Sequence, residues 1–453
     1  MGNPHILAIP YPAQGHVTPM MELSLYLVKH GFKVTFVNTE YVHSKILNSM
    51  AEKDYLNDQI SLISIPDGME PWEERNNLMK LTVGMYQIMP GKLEEVIEKI
   101  NASEDDKIRC VIADQSMGWA LEVADKMKTR RAVFWPAPAA AMCFLFSLQK
   151  LIDDGFLDNN GTPLKNQMIQ LSPAMPAMNT ANFLWTMINN LYLQKIVFSF
   201  FLHNAKLVKK EDKIICISSY NLEPGAFTFS PQIIPIGPLL TSNEQGHTTV
   251  GNFLTEDSNC LNWLDKQPPK SVIYVAFGST TIFTKTQFQE LALGLELTNK
   301  PFLWVVRPDT VTDNISYPEG FQERVKNGKI VNWAPQKQVL SHSAVACFLS
   351  HCGWNSVTEG VSNGVPFLCW PYFSDHFIGE SYICDFWKVG LRCEKNESGI
   401  VTKEEIKNKI EEVVGDESLM VRALGLQEIA LESIGEGGHS NDCFKNFMEW
   451  IKS

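Results

Sequence analysis

One pattern occurs twice in this chain and constrains its fold more than any other: a short apolar run, a glycine-bearing turn, a stretch of helical spacing and a second apolar run. In the first half HILAIP is followed by PAQG, by a helix-like stretch from about His16 to His30, and, after Gly31, by KVTFVNT. In the second half SVIYVAF leads to GST, then to Gln287–Asn299 with Phe288, Leu291 and Leu295 on one face, then to PFLWVVR. Apolar runs of this length bounded by turn residues read as buried strands, and a glycine after the helical stretch reads as its stop. Two strands joined by a helical crossover run parallel, so each half is expected to be a doubly wound α/β sheet that gathers its ligands at the carboxyl ends of the strands. His16 falls on that edge of the first half.

A chain of 453 residues, 45% of them hydrophobic, is too long for one ordinary core, which predicts two domains of about 200 residues each. The segment IGPLLTSNEQGHTTVG is rich in Gly, Ser, Thr and Asn and lacks an apolar period. It sets the expected boundary between the halves: a first domain over 1–240, a linker over 241–255 and a second domain that begins at 256. No internal repeat or low-complexity tract is visible, although the two halves share a layout.

The balance of 39 Lys and Arg against 51 Asp and Glu gives a net charge of −12 with no basic block, which argues against nucleic acid and anionic membranes as partners. The opening MGNPHILAIPYPAQG has no cationic region ahead of its apolar run, so no secretory signal is expected. The apolar stretch Ala132–Leu148 is short for a span and carries Pro136 and Pro138, which suits a buried strand and turn rather than a membrane helix. The ten cysteines lack CxxC spacing and sit mostly in apolar runs such as VACFLSHC, as reduced core thiols do. Without an entry signal, the N-glycosylation patterns at Asn101, Asn160, Asn314 and Asn396 are chance matches. A cytoplasmic monomer is the expectation.

The most informative stretch is 333–376, WAPQKQVLSHSAVACFLSHCGWNSVTEGVSNGVPFLCWPYFSDH. AVACFLS reads as a buried strand, HCGW as a turn, and Asn355–Asn363 as a short helix closed by Gly364 before the strand PFLCW. The N–H groups and positive dipole end of that helix, near Gly353–Ser356, make an anion site suited to a diphosphate, to which His351 adds a donor. Spacing alone favours simpler roles. Ser356 and Glu359 stand as a capping box, Trp333 and Trp354 as core aromatics, and His351 as a buried histidine.

Taken together, however, these residues closely resemble the signature box of plant family 1 UDP-glycosyltransferases. The resemblance extends along the chain, from PAQGH through FGS near residue 277 to a helical tail, and implies that the second domain runs over 256–433 and that the tail, 434–453, packs back on the first. It implies a GT-B fold, two Rossmann-like domains facing across a cleft, and a UDP-sugar co-substrate with no further cofactor. It also implies roles. Trp333 stacks on uracil, Gln336 lies by the nucleoside, Glu359 binds the ribose hydroxyls, and Ala334 belongs to the same UDP-sugar-binding set. His351, Asn355, Ser356 and Ser279 hold the diphosphate, and Trp354, Asp375 and His376 contact the sugar. These assignments suit the chemistry, since departing UDP needs fixed donors most in the transition state. One position departs from the commoner pattern: the box often ends Asp-Gln, whereas here it ends Asp375-His376, so the hydrogen-bond set offered to the sugar differs. Histidine at this place is similar to members that use galactose or arabinose, but also to some that use glucose.

Deprotonating an acceptor hydroxyl needs a base. His16 matches the family's catalytic histidine in PAQGH, and the strand IRCVIAD delivers Asp114, which matches the second catalytic residue, where it would orient the imidazole. Without such a partner Asp114 would simply cap the next helix. The expected reaction is a direct, inverting displacement at the anomeric carbon. No clustered Asp, Glu and His set calls for a metal. The acceptor pocket is expected in WPAPAAAMCFLF and FLWTMINNLYLQKIVFSFF, about half of whose side chains are ordinary core. The alternatives are a nicotinamide dehydrogenase, which lacks its GxGxxG here, and a non-catalytic nucleotide-sugar-binding protein, which has no use for His16 and Asp114 together.

Overall fold

The computed structural model describes residues 3–49, 58–73, 75, 78–211, 213–239, 251–312 and 315–453. Of the expected linker, residues 241–250 lie outside the described residues, as does the Asn314 glycosylation pattern. The chain forms two compact units, one of Met1–Leu254 with Ser433–Ser453 and the other of Thr255–Glu432.

The first unit carries β1 (His5–Ile9), β2 (Lys33–Thr39), β3 (Ile60–Ile65), β4 (Ile108–Asp114), β5 (Arg130–Trp135), the two-residue strands β6 (Met168–Ile169) and β7 (Met178–Asn179), β8 (Ile214–Cys216) and β9 (Ile233–Pro235). Its seven-stranded sheet runs β3-β2-β1-β4-β5-β8-β9 with every pair parallel, and β6 pairs antiparallel with β7. The second unit carries β10 (Val272–Ala276), β11 (Phe302–Val305), β12 (Gly328–Val331), β13 (Val345–Ser350), β14 (Phe367–Cys369) and β15 (Gly390–Arg392). These form a six-stranded parallel sheet in the order β12-β11-β10-β13-β14-β15. Both sheets are the doubly wound type expected from the repeated strand–helix–strand pattern. β1 and β10, apolar but for His5 and the Tyr274 hydroxyl, are buried along their whole length, as strands covered on both faces must be.

Strand order reverses between β1 and β4 in the first sheet and between β10 and β13 in the second. At such a point the connections leave on opposite faces and a crevice opens beyond the carboxyl ends. Register places Ile9 beside Ala113 and Ala276 beside Ser350. Asp114, the last residue of β4, and His351, the residue after β13, therefore both emerge at a reversal.

Some boundaries differ from the sequence reading. The first helix begins at Gln14 rather than near His16, because extended Ala13 takes the cap position and its carbonyl accepts from the N–H groups of His16 and Val17, both at 2.9 Å. Thr284 caps the helix Lys285–Leu297, its hydroxyl accepting from the Gln287 N–H at 3.2 Å. The apolar stretch after Ala132 is strand and helix rather than strand and turn. β5 ends at Trp135 and a buried helix occupies Ala139–Phe146. Its first-turn N–H groups on Ala139 and Ala140 donate to the fully buried Glu223 carboxylate at 2.8 and 3.1 Å. Among the described residues no helix is long and apolar enough to cross a membrane.

The last helix, His439–Lys452, buries Phe444, Phe447, Met448 and Ile451 in the first unit, and Arg130 of β5 donates to the Trp450 carbonyl and, at 3.2 Å, to the Ser453 hydroxyl. The second unit's core joins Ile273, Phe288, Trp304, Leu349 and Ile406. The helix Trp354–Ser362 lies so close to β14 that a β-carbon at Gly360 would sit 2.3 Å from the ring of buried Phe367. Gly360→Ala is therefore expected to cost about 1–3 kcal/mol through overpacking, visible as a lower thermal midpoint. An unchanged midpoint would show that the ring yields freely.

Candidate active site

In the first unit, β1 ends at Ile9 and the helix Gln14–Lys29 brings His16 in its first turn to the end of β4. The imidazole Nδ1 lies 2.7 Å from Oδ2 of Asp114; the histidine side chain is 30% exposed while the carboxylate is fully buried. The other oxygen, Oδ1, accepts from the Ser116 N–H at 2.8 Å and caps the short turn of helix Gln115–Met117. Asp114 thus meets a ring nitrogen with one oxygen and caps a turn with the other. With a carboxylate facing Nδ1, the ring hydrogen belongs on Nδ1, and Nε2 keeps the lone pair that a base needs. Tyr11 packs its ring 5.3 Å from His16, and burial together with the Asp114 charge pushes its phenol up to about 12, so it stays protonated.

Sequence reasoning missed the support behind this pair. Fully buried Asn204 donates from Nδ2 to the Ser116 carbonyl at 3.4 Å and accepts at Oδ1 from the Tyr86 hydroxyl at 2.8 Å. Gly118 leaves room for it, since a β-carbon there would lie 2.4 Å from Asn204 Oδ1.

In the second unit the helix Trp354–Ser362 starts behind Gly353 with no side-chain cap, after Cys352 has turned the backbone to φ 66°. The capping-box geometry is not formed. Gly353 is the cap residue, and the Ser356 hydroxyl instead accepts from Gln336 Nε2 at 2.8 Å. The same amide nitrogen donates to Glu359 Oε2 at 2.8 Å, and Gln336 Oε1 accepts from the Tyr274 hydroxyl at 3.1 Å. Tyr274, on β10, was not visible as a site residue in an otherwise apolar strand. Trp333, half-buried, and Ala334, buried, lead directly into the helix that begins at Gln336.

His351 follows β13 and is buried with its Nε2 at the meeting of two backbones: a β-carbon at Gly278 or at Gly353 would lie 2.5 Å from it. Ser279, half-buried, is the next residue of that loop after β10. Burial, opposed by a hydrogen bond to the Ala276 backbone and assisted by the Arg307 charge, pulls His351 down to about 4. His376 stacks edge-on to it with ring centroids 4.7 Å apart and is itself buried, which, with the neighbouring His351, holds it well below its ordinary value. The Phe373 N–H faces His376 Nδ1 at 3.5 Å, leaving the ring hydrogen on Nε2. Asp375, half-buried, stands immediately before the helix His376–Ser381 and makes no side-chain cap bond to it.

Trp354 differs from the expectation of a side chain facing sugar. The residue is 2% exposed, and its indole packs on Tyr382 and Trp387 at 6.0 and 6.2 Å. Asn355 and Ser356 follow it in the same turn. The aromatic stretches proposed for the acceptor divide. Met142 and Phe144 are core, Phe183 and Trp185 stack at 4.8 Å inside the unit, and Met187, Leu191 and Tyr192 are exposed. Among the described residues no group of three or more His, Cys, Asp and Glu is placed to hold a metal ion.

Residues 250–431 match the family described as UDP-glucoronosyl and UDP-glucosyl transferase. UDP-glycosyltransferase 83A1 of Arabidopsis thaliana is 48% identical over 100% of this chain and 98% of its own. Among solved structures, Os79 from O. sativa in complex with UDP is similar at a TM-score of 0.81 and 28% identity, covering 99% of each chain. Phytolacca americana UGT2 complexed with UDP-2fluoro-glucose and pterostilbene reaches the same TM-score at 25% identity, again over 99% of each chain. Likeness of this degree, carried over the whole length on a GT-B architecture, makes the chain a member of the plant family 1 UDP-glycosyltransferases, an enzyme that uses a UDP-sugar donor.

Proposed function

We propose that the enzyme transfers glucose, with inversion, from UDP-glucose to a hydroxyl of a small apolar acceptor, and that His16 is the base. The observation that carries this reading is the short His16–Asp114 contact at the strand-order reversal of the first unit. A protein that only bound nucleotide sugars would have no use for it. Glucose is favoured over galactose or arabinose by the family description and by the UDP-2fluoro-glucose complex of the similar P. americana protein. An apolar acceptor is supported by the exposed Met187, Leu191 and Tyr192 and by the pterostilbene in that same complex. The free cysteines suit a reducing compartment such as the cytoplasm.

In the proposed reaction His16 Nε2 takes the acceptor proton while Asp114 stabilises the imidazolium that forms. The acceptor oxygen bonds to the anomeric carbon as the bond from that carbon to the diphosphate oxygen breaks, and UDP leaves with the electron pair. Trp333, Ala334, Gln336 and Glu359 would hold the nucleoside. The uncapped helix start at Trp354–Ser356, with His351 and Ser279, would meet the charge that grows on the diphosphate. Asp375 and His376 would orient the sugar hydroxyls.

Incubating the protein with UDP-glucose, UDP-galactose and UDP-arabinose against a panel of phenolic and terpenoid acceptors, and following UDP release and product mass, tests the reading. Glucose transfer with an inverted anomeric centre is expected. His16→Ala should lower kcat by about 10²–10⁴ while leaving UDP affinity intact, and undiminished turnover in that variant rules out His16 as the base.

The buried histidines also set a pH dependence. His351 and His376 hold their native values below the ordinary 6.5, so as pH falls through about 6.5 the unfolded chain takes up protons that the folded one refuses. Stability is therefore full above that range and declines toward about pH 4, by about 1.4 kcal/mol for each pH unit separating a group's two values. His376→Gln should flatten the fall of the unfolding midpoint between pH 6.5 and 4.5. An equally steep fall in the variant would show that His376 contributes nothing to it.

A further inference from the structure

The side chains assigned to the donor site leave its charge unbalanced. Ser279, Trp333, Gln336, Asn355 and Ser356 are neutral, Glu359 and Asp375 are acidic, and both histidines are held uncharged by burial. A nucleoside diphosphate brings further negative charge, and a helix start supplies only about half a positive one. A fixed cation close behind the site would offset more of that charge than these neutral donors and the helix start can.

We propose that Arg307 supplies it, as a positioning residue that holds the loop after β10 from behind and provides the fixed positive charge of the donor site. The inference rests on the reading of the second unit as the donor site. Arg307 lies just beyond β11 and is 9% exposed. Its Nη1 donates to the Gly278 carbonyl at 2.9 Å and its Nη2 to the Thr281 carbonyl at 3.1 Å, so one guanidinium fixes both ends of the segment that carries Ser279. Gly278 is also the residue whose missing β-carbon admits His351, which places the buried cation directly behind the diphosphate-binding loop. The partner carboxylate, Asp309, accepts from Nε at 2.9 Å and from Nη2 at 3.4 Å, but its side chain is 71% exposed, so water screens it while the guanidinium is sheltered. Two carbonyls and one screened carboxylate leave the arginine with a field still directed at the loop, and a rigid fork of donors is what this bracing needs.

Calorimetric titration with UDP and with uridine separates charge from mere bracing, because uridine carries the base and ribose without the diphosphate. The wild type should bind UDP, and Arg307→Met should weaken UDP by about tenfold or more while changing uridine by less than about threefold. Arg307→Lys should recover part of the loss, because it keeps the charge but not the fork. Asp309→Asn, which leaves Arg307 in place and removes the competing charge, should tighten UDP by about two- to threefold. Unchanged UDP affinity in Arg307→Met, a parallel loss of uridine, or weaker UDP binding in Asp309→Asn would each overturn the role. Failure of the wild type to bind UDP would instead overturn the donor-site reading on which it rests.

Discussion

The position of the His351 ring governs the second unit. Its Nε2 occupies space that a β-carbon on either Gly278 or Gly353 would require, so the loop leaving β10 and the helix following β13 close on one imidazole. Two bare backbones and a flat ring can approach where three ordinary side chains could not. The parallel sheet dictates where this happens, because only at the reversal of strand order do neighbouring connections part and leave room. The first unit obeys the same rule with the chemistry exchanged: there the strand end contributes a carboxylate, and the neighbouring helix contributes the histidine.

Both sites are polar groups embedded in apolar surroundings, and in each a hydrogen-bonded pair or network partners the central side chains. Asp114 divides its oxygens between a ring nitrogen and a backbone N–H. Gln336 links Tyr274, Ser356 and Glu359 in one network, and the nearby Glu359 charge, after burial, helps hold the Tyr274 phenol well above its usual value. Such networks add little net stability, but they fix one arrangement of side chains, which is what a transition state rewards.

Much of this was legible in the sequence. The two sheets followed from apolar runs and helical spacing, and the helix of 333–376 was placed within one residue at each end, because turn residues bound it on both sides. The residues that were missed share a physical reason. Tyr274, Arg307 and Asn204 are polar side chains set in apolar runs, and each acts on a partner far along the chain: 62 positions from Tyr274 to Gln336, and 88 from Asn204 to Ser116. Periodicity reports which face of an element is buried and is silent about what a buried polar atom meets. The capping box failed for a related reason. Its spacing fitted, but a positive-φ cysteine and a glycine began the helix earlier, leaving Ser356 inside the first turn and available to Gln336.

The return of residues 433–453 to the first unit makes the second an insertion within it. In synthesis from the amino terminus, residues 255–432 emerge whole before the helix that covers the end of β5 has been made, so the unit begun first is completed last. Until then the surface awaiting Phe444, Phe447 and Ile451 is bare, and nascent chains carry an apolar patch that the finished enzyme never shows.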